Sequence, residues 1–290
     1  MPATCQPAAS LHAAQSADAV LPLSSTMLPL QALDASHGAA SVQHLEQRSF
    51  NAWPGAHCAV VGDWLLRSTS GYTKRANSAN ALQPGAVLSA PLLRAIEGWY
   101  AGQQQPCIFR LSPLADPAAD ALLQALGYRL QEPSVFLQRS TQRGDALWQP
   151  APGVTVQVDA APSAAWLQGY SQACGLVLWQ QQALARIQQA IGMRCAYVSL
   201  GCEGAACAWG LVVWERGAAG LYEVLVAPHR RRQGLGRVLL GAMLQWAQQQ
   251  GATHTDLQVL SSNQPARQLY ASLGFAPVYG YHYRAQPQPA

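Results

Sequence analysis

Eleven residues in the second half of the chain, Val226-Ala-Pro-His-Arg-Arg-Arg-Gln-Gly-Leu-Gly236, have the types and spacing of an anion site. Two glycines let the backbone fold tightly, so that successive N–H groups point into one concavity. A helix starting there adds unpaired donors and the positive end of its dipole. With Arg231 and its neighbours alongside, the segment suits a di-anion such as a pyrophosphate. It is neither G-x-x-x-x-G-K-[ST] nor G-x-G-x-x-G, so the P-loop and dinucleotide fingerprints are excluded. Without the glycines, Arg230 to Arg232 would read as a solvated basic turn or a nucleic-acid contact.

The elements that must position this segment follow from the pattern around it. Val154–Asp159 alternates as a strand, and Ala164–Cys174 and Trp179–Ile191 have helical spacing. Arg194–Leu200, Ala206–Trp214 and Leu221–Val226 read as strands separated by glycine-containing turns. Gly236–Gln250 is an amphipathic helix, with Val238, Leu239, Met243, Trp246 and Ala247 on one face. A strand over Thr253–Leu260, a helix over Gln264–Leu273 and a strand over Val278–Tyr283 complete a mixed α/β half.

The first half repeats the end of that order. Asp63–Ser68 and Asn77–Leu82 read as strands, Pro91–Ala101 as a helix, Cys107–Leu111 as a strand, Ala118–Leu126 as a helix and Ser134–Gln138 as a strand. Leu122-Leu-Gln-Ala-Leu-Gly-Tyr128 echoes Leu269-Tyr-Ala-Ser-Leu-Gly-Phe275, which suggests a duplicated fold. The expected division is a poorly ordered leader over 1–44, a first domain over 45–140, a turn-rich linker over 141–153 and a second domain over 154–290.

Composition narrows the class. Of 290 residues, half are hydrophobic and 11% charged, with nine Trp and ten Tyr, so the chain can bury a real core. The net charge of +4 supplies no broad basic stripe, so no nucleic-acid partner is expected. Lys74 is the chain's one lysine, whereas four arginines fall between Arg230 and Arg237. The sequence has no membrane-length apolar run, and the first Lys or Arg is Arg48, unlike a secretory or mitochondrial leader. Seven scattered cysteines form no C-x-x-C pair and read as small buried hydrophobes in a reducing cytoplasm, with no metal expected.

Arg231-x-x-Gly234-x-Gly236, preceded by Val226-x-Pro228, resembles the acetyl-CoA signature of GCN5-related N-acetyltransferases, the GNAT superfamily. Asn263-x-x-Ala266-x-x-Leu269-Tyr270-x-x-x-Gly274-Phe275 is similar to that family's second cofactor-contacting segment. Trp53-Pro54, Gly62-Asp-Trp-Leu-Leu-Arg67 and Gly71-Tyr-Thr-Lys-Arg-Ala-Asn-Ser78 resemble a bacterial two-domain subgroup whose N-terminal half is a degenerate GNAT-like domain. That half has no R-x-x-G-x-G between Leu82 and Pro91. The resemblance implies tandem α/β folds, each a mixed, mostly antiparallel sheet flanked by helices, with one acetyl-CoA site.

By the same resemblance, the backbone of Val224, Leu225 and Val226 pairs with the pantetheine arm. The N–H groups of Arg231, Arg232, Gln233, Gly234, Leu235, Gly236 and Arg237, with the Arg231 side chain, hold the pyrophosphate. Asn263 binds the pantetheine region, or simply caps the helix that Pro265 opens. Tyr270 protonates the departing thiolate, or belongs to the core.

An amine acceptor must lose a proton before it attacks, which costs about 4–5 kcal/mol at neutral pH. Glu223 is the first choice of base and Asp256 the second. Strand alternation assigns each to a face, but a bulge would reverse that parity. Glu223 could equally face water or pair with an arginine. An N–H on this strand, that of Val226, could stabilise the oxyanion. Two functions remain: direct acetyl transfer to a primary amine of a small molecule, amino acid or peptide, or a non-catalytic acyl-CoA-binding regulatory module. The two halves could form an internal pseudo-dimer within a monomer or a homodimer.

Overall fold

The computed structural model describes residues 39–141 and 153–287. The first half comprises α1 (Ala39–Ala52), β1 (His57–Val61), β2 (Trp64–Ser68), a 3-10 turn at Lys74–Ala76, β3 (Ala79–Ala81), α2 (Ala90–Gly102), β4 (Ile108–Leu111), α3 (Pro117–Ala125) and β5 (Arg129–Ser140). The second comprises β6 (Val154–Asp159), α4 (Ala164–Cys174), α5 (Leu178–Gln189), β7 (Arg194–Cys202), β8 (Ala205–Glu215) and β9 (Ala218–Val226). A 3-10 turn at Pro228–Arg230, α6 (Leu235–Gln249), β10 (His254–Leu260), α7 (Gln264–Ala271) and β11 (Ala276–Ala285) follow.

Every helix and strand expected from the sequence is present, with ends shifted by a few residues. Two elements are additional, α1 and β1. The expected leader to His44 therefore ends earlier, because α1 begins at Ala39 and buries Val42. The rest of that leader and residues 142–152 of the linker lie outside the described residues.

Among the described residues the strands form one eleven-stranded sheet, in the order β1-β2-β3-β4-β11-β5-β10-β9-β8-β7-β6. The two halves exchange their last strands. β11, from the second half, lies between β4 and β5, while β5, from the first, pairs antiparallel with β10. Parallel pairing occurs between β3 and β4 and between β9 and β10, and the other neighbours are antiparallel. The tandem folds are thus joined through a shared ladder.

Period-two burial on β8 separates two layers. Val212 packs with Leu239, Leu240 and Met243 of α6, whereas Leu211 and Val213 pack with Trp166 and Tyr170 of α4 and Leu184 of α5. Ser163 caps α4 by accepting from the Trp166 N–H at 3.1 Å. On the α4 side α1 crosses the seam between the halves. Its underside is polar: Glu46 pairs with Arg110 of β4, Arg48 with Asp256 of β10, and Ser49 Oγ accepts from Gln258 Nε2 at 3.0 Å.

Candidate active site

β9 and β10 run parallel as far as Leu221↔Leu257, and beyond that point they are not paired. β10 continues along β5 and β9 along β8, so the two strands part. The Ala227 N–H donates to Cys207 across the β8 side. Antiparallel alternation therefore turns the Val226 and Val224 N–H groups the other way, into the opening. An extended, amide-containing ligand can add there as a strand would.

At the mouth of the opening the chain turns through Pro228–Arg230 into α6. Gly234, at φ 78°, is the residue before that helix and offers no capping side chain. A side chain here would be strained, which explains glycine at this position. The N–H groups of Arg232, Gln233, Gly234, Leu235 and Gly236 have no acceptor among the described residues. Five neighbouring donors at a helix start are thus left without a partner among the described residues, the kind of position at which an anion can bind. At Gly236 a Cβ would lie 3.1 Å from a terminal methyl of Leu269 on α7, a tight contact to which that leucine would have to yield. Arg231 folds back, its Nε donating to the Val226 carbonyl at 3.4 Å. Arg237 reaches Ser272 Oγ at 2.6 Å, and Arg230 pairs with Glu203 at 2.5 Å.

Asn263 caps α7, its Oδ1 accepting from the Ala266 N–H at 3.2 Å. Tyr270 is buried against Phe275 in the α6-side core, and burial pushes its phenol up to about 12. Its hydroxyl has no partner among the described residues, and the upward shift caused by burial keeps it protonated at neutral pH.

Glu223 sits on a bulge. β8 and β9 slip register between Trp209↔Leu225 and Leu211↔Tyr222, and Glu223 adopts φ 52°. Ala219 and Leu221 face α6, and simple alternation would send Glu223 there too. The bulge instead turns it to the α4 side beside Tyr222. Its side chain is fully buried, paired with Arg75 at 2.7 Å and accepting from the Tyr170 hydroxyl. Burial alone would pull Arg75 down, but the adjacent Glu223 charge raises it above its ordinary value. Arg75 also lies 4.8 Å from the centre of the Trp53 ring. Asp256 is paired with Arg48, and burial raises its carboxyl more than that arginine lowers it. Both carboxylates singled out from sequence are therefore held by arginines of the first half.

Arg75 belongs to a loop fixed by Asn77. The Asn77 Oδ1 accepts from the Thr69 and Gly71 N–H groups at 2.6 and 2.9 Å, and its Nδ2 donates to the Tyr72 and Thr73 carbonyls at 2.7 and 2.8 Å. The loop walls a cleft of about 100 Å³ that reaches Val259 and Leu260 on the parting stretch of β10. The other walls come from β5, β11 and the start of α5, so both halves build it. Tyr170, Arg75, Lys74 and Asn77 carry no role in the second-half motif. The sequence signal for three of them was the Gly71–Ser78 block itself.

Residues 39–284 match the protein family described as "Probable histone acetyltransferase Rv0428c C-terminal". The chain belongs to this family. It is 25% identical over 252 residues to "Uncharacterized N-acetyltransferase YobR" of Bacillus subtilis (strain 168), covering 84% of this chain and 98% of that protein. Among solved structures it resembles a GCN5-related N-acetyltransferase from Kribbella flavida (TM-score 0.65, 18% identity, 87% of this chain and 96% of that one). It also resembles a tandem GNAT protein from the clavulanic acid biosynthesis pathway (TM-score 0.59, 14% identity, 84% of this chain and 89% of that one). These structural likenesses agree on the fold: tandem GNAT halves with a mixed, mostly antiparallel sheet. The protein is a GNAT-type N-acetyltransferase. Among the described residues no helix is long and apolar enough to cross a membrane.

Proposed function

We propose that the protein transfers an acetyl group from acetyl-CoA directly to a primary amine, using one site in the second half. The observation that carries this reading is the run of unpaired N–H groups from Arg232 to Gly236 beside the opening between β9 and β10. The cradle fits a pyrophosphate, with Arg231 and Arg237 beside it and Asn263 near the adjoining α7 start. The backbone of Val224 and Val226 fits the amides of the pantetheine arm, whereas Leu225, between them, turns its backbone groups to Trp209 of β8. Acetyl-CoA, when bound, supplies an activated thioester, so no covalent enzyme intermediate is needed.

The remaining roles fall to side chains at the opening. Glu223 takes the amine proton: it lies past the point where β9 and β10 part, whereas Asp256 pairs with Gly220 in the closed part of the ladder. Arg75 and Tyr170 fix its carboxylate in one orientation. Tyr270 gives a proton to the departing sulfur, and the Val226 N–H steadies charge developing on the carbonyl oxygen. A cytoplasmic location accords with the six described cysteines, all of which are free.

Calorimetry with acetyl-CoA, followed by thiol release with a panel of amines, tests the reading. Binding followed by acceptor-dependent thiol release is expected. Tight binding without acceptor-dependent turnover would leave the non-catalytic acyl-CoA-binding module in its place.

A further inference from the structure

Of the six described cysteines, two stand side by side where the cofactor loop leaves the sheet, and neither has a part in acetyl transfer. Cys202 ends β7, and Cys207 lies on β8 across the same hairpin. The hairpin carries a bulge: Leu200 pairs with Ala208 but Gly201 with Ala206, so Cys207 is the extra residue. Val198, Leu200 and Cys202 alternate onto the α6 side of the sheet, and Cys207 belongs to that same layer. Cys207 is buried and Cys202 half-buried, so a reagent from solvent meets Cys202 first.

The surroundings favour thiol chemistry at this pair. Burial and the adjoining Cys202 thiol push the Cys207 thiol up to about 12, so it keeps its proton. Arg230 lies within electrostatic reach of both sulfurs and is held 2.5 Å from Glu203, the residue after Cys202. A partly exposed thiol near a cation, with a second thiol behind it, is the arrangement of cysteines that oxidise reversibly. In a reducing compartment such disulfides are transient and regulatory rather than structural.

Both cysteines are tied to the segment that carries the donors of Arg232 to Gly236. The Cys207 carbonyl accepts from the Ala227 N–H at 2.9 Å, just before the Pro228–Arg230 turn. On the other arm of the hairpin, Glu203 holds Arg230 at the end of that turn. Glu203 has φ 54° and Gly204 φ 82°, so the hairpin tip is a tight two-residue turn with little slack. Moving the two cysteines toward each other therefore moves both contacts of the cofactor loop.

We propose that Cys202 and Cys207 are a redox modification site, closing to an internal disulfide with a peroxide as oxidant, and that the disulfide weakens acetyl-CoA binding at the adjoining loop. The effect on binding rests on acetyl-CoA occupying that loop. The Cys202 sulfur attacks a peroxide oxygen, the O–O bond breaks, and the thiol proton leaves in the water formed. The Cys207 sulfur then attacks the Cys202 sulfenic acid. The S–S bond forms, the S–O bond breaks, and the departing hydroxide takes the Cys207 proton to leave as a second water. Two thiols give up two electrons, and the peroxide accepts them. Drawing the sulfurs into bonding distance displaces the Cys207 carbonyl and Glu203, and the N–H donors no longer converge as in the dithiol form.

The test treats the full-length protein with hydrogen peroxide, blocks remaining thiols with iodoacetamide and locates the products by peptide mass spectrometry. Acetyl-CoA binding is measured in parallel by calorimetry. The expected product links Cys202 to Cys207, with both sulfurs protected from the blocking reagent. Its acetyl-CoA Kd should rise about fivefold or more and return to the reduced value with dithiothreitol. Cys207→Ser should stop at a Cys202 sulfenic acid that dimedone traps. Cys195→Ser, which alters the opposite face of β7, should still form the disulfide. Cys202 and Cys207 separately blocked after peroxide, or a disulfide that leaves Kd unchanged, overturns the proposal. Reduced protein that binds no acetyl-CoA overturns the cofactor site and the effect on it, while the peptide mass still decides whether the disulfide forms.

Discussion

The same arrangement, a parallel strand pair followed by helices, occurs in both halves, and only the second leaves it open. In the first half, β3 and β4 pair at Ala79↔Phe109 and Asn80↔Arg110. The loop before α2 then fills the space between them: the Ala86 N–H donates to the Leu114 carbonyl at 3.0 Å, and the Ala86 carbonyl accepts from the Asp116 N–H at 3.0 Å. Ser89 caps α2 with its own side chain. In the second half nothing among the described residues bridges β9 and β10 past Leu257, and Gly234 leaves α6 uncapped. The helices α3 and α7 end alike, Tyr128 N–H on Leu123 and Phe275 N–H on Tyr270, yet a leucine stands where the tyrosine stands. A half that satisfies its own backbone has no donors left for a ligand. What the first half contributes across the seam is Arg75 and Arg48, paired with Glu223 and Asp256 of the second.

The sharpest way to break this comparison is a matched pair of substitutions. Gly234→Glu should weaken acetyl-CoA binding about 100-fold or more, by strain and by placing a carboxylate in the cradle. Gly85→Glu, in the corresponding loop of the first half at φ 75° with open space around it, should leave that affinity unchanged. Calorimetry on both variants, with circular dichroism to check folding, decides. Equal losses would mean the halves are not specialised in this way.

A smaller effect is expected for Tyr270→Phe: kcat falls about 100-fold, with acetyl-CoA affinity preserved. Because burial holds the phenol near 12, it stays protonated below that pH. The wild-type rate should therefore show no alkaline decline from this group below about pH 11. A basic limb that vanishes in Tyr270→Phe at lower pH would contradict this placement.

Smallest in rate, though large in stability, is the test of support by the first half. Arg75→Met leaves Glu223 buried without its charge partner, which should destabilise the fold by about 3–5 kcal/mol. Double substitution with Glu223→Gln should recover much of that loss in denaturant melts. A double variant no more stable than Arg75→Met would show that the pair does not couple the halves.

Much of the second half was legible because its signals are local. The unpaired donors of Arg232 to Gly236 follow from two glycines and a helix start, all within a few residues. The Glu223 bulge was not legible, because it arises from register against β8, and it set which face the carboxylate occupies. Arg75 lies 148 residues from its partner, and no local pattern announces such a pair. α1 escaped notice for a related reason: its inward face carries Glu46, Arg48 and Ser49, so the apolar periodicity that marks a helix is interrupted. Its polar residues face buried partners on β4 and β10. The division into halves was readable from the echo between α3 and α7. Their exchange of strands was not, since β5 and β11 look alike as sequence whichever half they join.

That exchange has a consequence for how the protein is made. β11 pairs with β4 over His282↔Leu111 to Ala285↔Ile108, contacts between segments far apart along the chain. Such pairings raise contact order and slow folding, since a long loop must close before they form. As the nascent chain emerges, the first half has β4 and β5 but lacks the strand that belongs between them. Until β11 arrives, both strands present unpaired edges open to aggregation or to exchange with another copy. The two halves of the sheet are therefore completed together, in one late closing step.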